Sequence, residues 1–335
     1  MPANLSQQYR NAEKKYRRAA TLEEELECLL LMLREIPKHK GTDKLQAELK
    51  KKISQARSRL QNQPTRKSSP GFRMPRQGAG RVVIVGAPNS GKSLLYNVLT
   101  ESSADVAEFP FTTTAPQPAL MSYEDVNIQV VDTPPITQGN FDPHIEALIR
   151  GADLVLLTID LASDEGLEGF FHCIRTIQNS RTRLQKTAGL DETDIGVTYS
   201  TTFRVFTQSD CAGASERKEL FDEFRAEQGV ADEFEEFVVS AVAGNGLDKL
   251  KNAVFESLDL VRIHTKDPAQ KEPDLADPYT LARGSTVIDL AELIHEELAR
   301  NFHSARVWGE GKHDGTVVFA DYELSDKDIV EIKTR

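Results

Sequence analysis

Cysteine is scarce: Cys28, Cys173 and Cys211 are the only three in 335 residues. They are far apart and match no metal-ligand spacing, so neither a disulfide framework nor a structural zinc site is expected; this fits a reducing compartment. The seven histidines, His144 and His303 among them, show no metal spacing either. Tryptophan occurs once, as Trp308, and reads as a core residue rather than a stacking platform. No stretch approaches the roughly 18 apolar residues needed to cross a bilayer. Met1-Pro2-Ala3-Asn4 begins no apolar signal core. No repeat or low-complexity tract is present. The expectation is a soluble, cytoplasmic protein without a membrane span.

What is present is unevenly spread. Residues 1–80 hold 18 Lys+Arg against 8 Asp+Glu, while the remaining 255 residues hold 23 against 44, so the net charge of -11 conceals a basic N-terminal quarter. That quarter is where a contact with RNA or another polyanion is sought. Within it, Leu5 to Ala20 is free of Gly and Pro. Thr21 and Glu24 form a capping-box signature ahead of Leu26, Leu29, Leu30, Met32 and Leu33. Pro37 and Gly41 end that helix, and Leu45, Leu49, Ile53 and Leu60 continue at helical spacing around Lys50-Lys51-Lys52. Residues 1–62 therefore read as a basic helical hairpin, and 63–80, with Pro, Gly, Ser and Arg, as a linker. From Arg81 to about residue 263, apolar strand candidates (Arg81–Val85, Ala119–Tyr123, Ile128–Val131, Leu154–Ile159, Phe203–Phe206, Phe237–Val239) alternate with helical stretches. The pattern predicts an α/β domain: a mainly parallel sheet with helices on both faces, and an antiparallel hairpin turning at Asp125. Residues 264–335 read as a small α+β unit with one helix over Asp289 to Phe302.

Gly86-Ala87-Pro88-Asn89-Ser90-Gly91-Lys92-Ser93 fits G-x-x-x-x-G-K-S between a strand and a helix. The glycines let main-chain N–H groups curl around phosphate oxygens at a helix N-terminus. Lys92 is expected to reach the β- and γ-phosphates, and Ser93 to ligate Mg²⁺. Asp132 ends an apolar strand, the position of an acid that supports the same ion. Asp210, after Arg204-Val205-Phe206, can accept two hydrogen bonds from guanine, which adenine cannot supply. Ser240-Ala241 follows the next strand, where an N–H can donate to the base carbonyl.

On these residues the chain resembles the Obg superfamily of GTPases, in its developmentally regulated GTP-binding (DRG) branch. Phe109-Pro110-Phe111-Thr112-Thr113 looks like that group's switch I, which implies that Thr113 closes on Mg²⁺ in the GTP state and joins Lys92 in catalysis. Tyr279-x-Leu281-x-Arg283-Gly284-Ser285-Thr286-Val287-x-Asp289-Leu290-Ala291 and Ala305-Arg306-Val307-Trp308-Gly309 look like a TGS domain, a β-grasp module. The resemblance covers nearly the whole chain. It implies a P-loop G domain, GTP and GDP as ligands, Mg²⁺ as cofactor, and a ribosome or RNA partner contacted through the basic N-terminal hairpin and the TGS-like domain. Related loops with asparagine at the position of Asn89 bind K⁺; the alternative is that Asn89 only shapes the turn.

Three departures from the pattern matter. Pro135 replaces the glycine whose N–H senses the γ-phosphate, and proline has no N–H. Thr207-Gln208-Ser209-Asp210 replaces N-K-x-D, losing the asparagine that braces the loop and the lysine that covers the base. The third is shared with the Obg group: Ile136 stands where many other GTPases place a water-orienting glutamine, so slow intrinsic hydrolysis is expected. A second reading is an RNA- or ribosome-binding adaptor with a structural or degenerate nucleotide site; a third, an ATPase, requires Asp210 to be incidental.

Overall fold

Three helices begin the chain, each burying one stripe. The computed structural model describes residues 5–19, 22–37, 42–61, 74–101, 115–137, 141–190, 196–227, 234–266, 273–310 and 315–334. Thr21, Gly41, most of the linker and the segment Phe109–Thr113 lie outside these residues. Ser6 caps α1 (Gln7–Arg18) by accepting from the Tyr9 N–H at 3.1 Å. Helix α2 (Leu22–Glu35) carries Glu23, Glu24 and Glu25 in its first turn and Arg34 in its last, matching the helix dipole. Helix α3 spans Asp43–Gln61. Tyr9 and Ala12, Leu29, Met32 and Ile36, and Leu45, Leu49, Ile53 and Ala56 meet in one cluster. The expected hairpin of α2 and α3 thus gains a third member, α1.

The larger sheet is built from β1 (Arg81–Gly86), β2 (Gln117–Tyr123), β3 (Val126–Asp132), β4 (Leu154–Asp160), β5 (Thr182–Gln185), β6 (Gly189–Leu190), β7 (Thr198–Thr207) and β8 (Glu235–Val238). Between these strands run α4 (Lys92–Thr100), α5 (Pro143–Gly151), α6 (Glu165–Gln178) and α7 (Ala214–Glu227), and α8 (Leu247–Ser257) follows β8. The order is β2-β3-β1-β4-β7-β5, with β6 and β8 also paired to β7. The pairs β1·β4, β4·β7, β5·β7 and β7·β8 are parallel. Every residue of β1 and β4 is buried, the sign of a sheet covered on both faces. Val83, Val85, Val155, Leu157 and Ile159 pack against Ile145 and Leu148 of α5, Phe170 and Ile177 of α6, and Phe221 of α7. The turn between β2 and β3 is Glu124-Asp125, with Glu124 at φ +49°.

A second, five-stranded sheet has the order β10-β9-β13-β11-β12, built from β9 (Leu260–Thr265), β10 (Asp274–Ala282), β11 (Phe302–Trp308), β12 (Thr316–Val318) and β13 (Asp328–Thr334). Val261, Ile263, Leu290, Val307 and Val330 lie in its core. Pro278 is tolerated in β10 because that strand is at the edge and bulges between Asp274 and Tyr279. The single helix expected over 289–302 is instead two, α9 (Val287–Ile294) and α10 (Glu296–Arg300). His295 turns extended, at φ -166°, and its ring Nδ1 accepts from the Glu297 N–H, ending one helix and capping the next. Phe302, expected as the helix end, begins β11. Trp308 is half-buried, with Lys266 Nζ 4.9 Å above its ring.

Residues 1–76, 81–119 and 130–250 form one compact unit, and 77–80, 120–129 and 251–335 a second. In the second, Arg262 on β9 is the hub: its guanidinium pairs with Glu124, Asp125 and Asp326 and lies 4.8 Å over the Phe255 ring. No helix among the described residues is long and apolar enough to cross a membrane.

Candidate nucleotide site

Parallel α/β sheets offer ligand crevices at the carboxyl ends of their strands, and the candidate residues gather there. Gly86 ends β1 under such crowding that a Cβ would stand 2.2 Å from Thr158 Oγ1 and 2.6 Å from Ser90 Oγ. Gly91 precedes α4 at φ +74°, a left-handed turn that glycine adopts without strain. Asn89 is also left-handed, at φ +60°, a conformation asparagine tolerates better than most residues. Pro88 and Asn89 are exposed, whereas Ala87 and Ser90 are buried.

Lys92 lies across the loop, its Nζ donating to Ala87 O at 2.6 Å. Burial lowers its pKa, and the nearby Asp132 carboxylate opposes the shift. Ser93 Oγ donates to Asp132 Oδ2 at 2.7 Å. A hydroxyl and a carboxylate oxygen in contact are the hard donors that suit Mg²⁺. No cluster of three or more His, Cys, Asp or Glu suited to a metal is present among the described residues. Thr113 falls outside the described residues.

Beyond Asp132 the chain is tied down. Thr133 Oγ1 donates to Ile84 O at 2.7 Å, and the Ile136 N–H donates to Gly86 O at 3.1 Å. Ile136 is 2% exposed and packed in the sheet core, while Pro135 is exposed.

Three residues that sequence reasoning passed over as braces hold the loop. Thr207 Oγ1 lies 3.0 Å from Ser90 O and 3.1 Å from Ile159 O, and its one proton serves one of them at a time. Thr158 Oγ1 shares a hydrogen bond with Ser90 Oγ at 2.7 Å. Gln208, left-handed at φ +58°, donates from Nε2 to Asp160 Oδ1 at 2.8 Å and reaches Asn89 O at 3.4 Å. The available signal was polar Thr158 and Asp160 inside a strand whose every residue is buried. Such groups need partners.

Asp210 is exposed, and its Oδ1 accepts from Ser240 Oγ at 2.6 Å. Ser240 Oγ in turn accepts from the Ala243 N–H at 2.9 Å, so the serine orients the carboxylate. The Ser240 N–H is engaged by Asn245 O at 3.0 Å. Of the pair 240–241, the serine N–H is thus committed within the protein.

Residues 81–188 match the family described as 50S ribosome-binding GTPase, and residues 261–334 match the TGS domain. An uncharacterized GTP-binding protein of Methanocaldococcus jannaschii is 28% identical over 93% of this chain and 92% of its own. Developmentally-regulated G-protein 3 of Arabidopsis thaliana is also 28% identical, over 88% of this chain and 94% of its own. A solved GTP-binding protein of Pyrococcus horikoshii is 16% identical, covers 76% of this chain and all of its own, and superposes with a TM-score of 0.47. Residues 81–188 thus carry a GTPase domain and residues 261–334 a TGS domain, and the chain is similar over most of its length to developmentally regulated G-proteins.

Proposed function

We propose that the protein is a slow GTP-hydrolysing switch whose partner is the ribosome or another structured RNA. The observation that carries the nucleotide half is the geometry at the end of β7. Asp210 is oriented by Ser240, while three residues earlier Thr207 bonds the phosphate loop, so base reading and phosphate binding share one short segment. Loop residues Gly86, Ala87, Pro88, Asn89, Ser90, Gly91, Lys92 and Ser93 hold the phosphates; Asp210 accepts from the guanine ring and Ala241 donates to its carbonyl. Ser93 and Asp132 hold Mg²⁺, with Thr113 as the third protein ligand in the GTP state. When bound, the ion neutralises charge developing on the phosphate oxygens. Lys92 leaves Ala87 O for the β- and γ-phosphates, exchanging a neutral acceptor for an anionic one. The buried Ile136 side chain orients no water, so hydrolysis is slow unless a partner assists.

The proposed division is 1–62 for the basic helices, 63–80 for the linker, 81–263 for the G domain and 264–335 for the TGS-like domain. The ribosome or RNA contact rests on the basic N-terminal quarter and accords with the ribosome-binding description of the matched family. A cytoplasmic location is proposed with it. Asn89 would be the residue to hold K⁺, which would add positive charge at the phosphate loop. Turnover is then faster in K⁺ than in Na⁺, and equal rates in the two salts would remove K⁺ from the account.

The deciding experiment is a calorimetric titration with GTP, GDP and ATP in Mg²⁺. Guanine-selective binding supports the switch, and ATP binding alone overturns it. One observation favours the adaptor reading: Pro135 offers no N–H to a γ-phosphate. No binding of any nucleotide would make that reading the better one.

A further inference from the structure

Helix α3 puts Leu45, Leu49, Ile53 and Ala56 into the helical core and turns a second stripe outward. Glu48, Lys51, Lys52, Gln55, Ser58 and Arg59 recur at spacings of three and four on that stripe. They line a cleft of about 610 Å³ whose remaining wall is Arg181, in the turn just before β5 of the larger sheet. The main chain at Arg181 is fixed by its N–H donating to Glu146 Oε1 at 3.0 Å, while its side chain is exposed. The lining thus holds four cations and one carboxylate, Glu48, which lies 3.2 Å from Lys51, with the Glu146 carboxylate against the Arg181 main chain.

We infer that this cleft binds the phosphate backbone of double-stranded RNA without reading bases. The inference rests on the RNA half of the proposed function and specifies where and how that contact is made. From Lys51 to Arg59 the helix advances about 12 Å, the span of several phosphates along one strand. Gln55 and Ser58 between the cations are donors of the kind that bond phosphate and sugar oxygens. The lining contains no aromatic residue on which an unpaired base can stack and no apolar wedge to enter a lipid surface. Because Arg181 lies in the turn between α6 and β5 and the other cations lie on α3, bound RNA contacts both the helical region and the nucleotide-binding region.

The test titrates the full-length protein with a labelled RNA duplex of about 20 base pairs across a salt series, beside single-stranded RNA and polyglutamate. Lys51→Gln, Arg59→Gln and Arg181→Gln are compared with wild type, each checked for folding by circular dichroism. The expected wild-type result is duplex binding that is indifferent to base composition and falls with salt at a log–log slope of about -3. Each variant weakens it several-fold and reduces the slope by about one, with GTP affinity unchanged. Duplex binding unaltered in all three variants overturns the cleft but leaves an RNA partner standing. Binding of polyglutamate and of no RNA, lost in the variants, overturns both the duplex assignment and the RNA partner. Sequence-dependent preference for single strands overturns both the duplex assignment and the backbone reading, and leaves an RNA partner standing.

Discussion

Thr207 does with one hydroxyl what a longer amide does in the usual guanine motif: it joins the base-reading segment to the phosphate loop. Its Oγ1 is buried between Ser90 O and Ile159 O. Thr207→Val keeps the shape and removes the donor, leaving a buried carbonyl short of a partner. The cost is about 1–2 kcal/mol in unfolding free energy, read as a lower denaturant midpoint, together with weaker GTP binding. An unchanged midpoint and affinity would show that the brace lies elsewhere. Asp210 supports a sharper exchange. Asp210→Asn puts an NH₂ where one carboxylate oxygen stood, which opposes the amine of guanine but matches the carbonyl of xanthine. Guanine affinity should fall by roughly ten- to a hundredfold, as for loss of a charged hydrogen bond, while xanthosine triphosphate gains. Competition titration with the two nucleotides measures the exchange, and parallel losses for both would sink the base-reading role.

At the scale of elements, the alkaline behaviour of the N-terminal helices follows from one phenol. Tyr16 on α1 donates to Glu25 on α2 at 3.4 Å, and burial, then the Glu25 charge, raises its pKa to about 12 from an ordinary 10.0. The folded state thus holds the phenolic proton more tightly than the unfolded chain. The stabilisation is complete below pH 10 and is lost as pH climbs through about 12. Thermal melts between these limits should show a steeper loss for wild type than for Tyr16→Phe; equal slopes would refute it. Elements also show what a sequence discloses. The phosphate loop was legible because its residues are consecutive and each has a separable reason to be there. The central strands β1 and β4 were legible as apolar runs, since a doubly covered sheet forces every residue inward, whereas the short β5 and β6 were not among the candidates. Thr158, Asp160 and Gln208 were not legible as a brace, because β4 and β7 become neighbours only through a parallel pairing of segments far apart in the chain. The break at His295 was hidden for the opposite reason: neither proline nor glycine marks it, and a side-chain nitrogen does the capping.

For the molecule as a whole, the question is how far the nucleotide's third phosphate can change the protein's state. A ligand shifts an equilibrium only by its differential affinity for the two states. Two features after β3 limit that difference. Pro135 cannot donate to a γ-phosphate, and the next N–H, of Ile136, is already bonded to Gly86 O while its side chain is anchored in the core. A segment fixed in this way gains little when GTP replaces GDP, so it adds little discrimination between the two. The predicted GTP-to-GDP affinity ratio is therefore near one in wild type. Pro135→Gly restores a donor, and one charge-assisted hydrogen bond of about 1.5–3 kcal/mol raises the ratio by roughly ten- to a hundredfold in favour of GTP. Paired calorimetric titrations of the two proteins with GTP and GDP give both ratios. A strongly GTP-selective wild type, unaffected by Pro135→Gly, would mean that the switch operates wholly through other contacts and that the proline carries no functional cost.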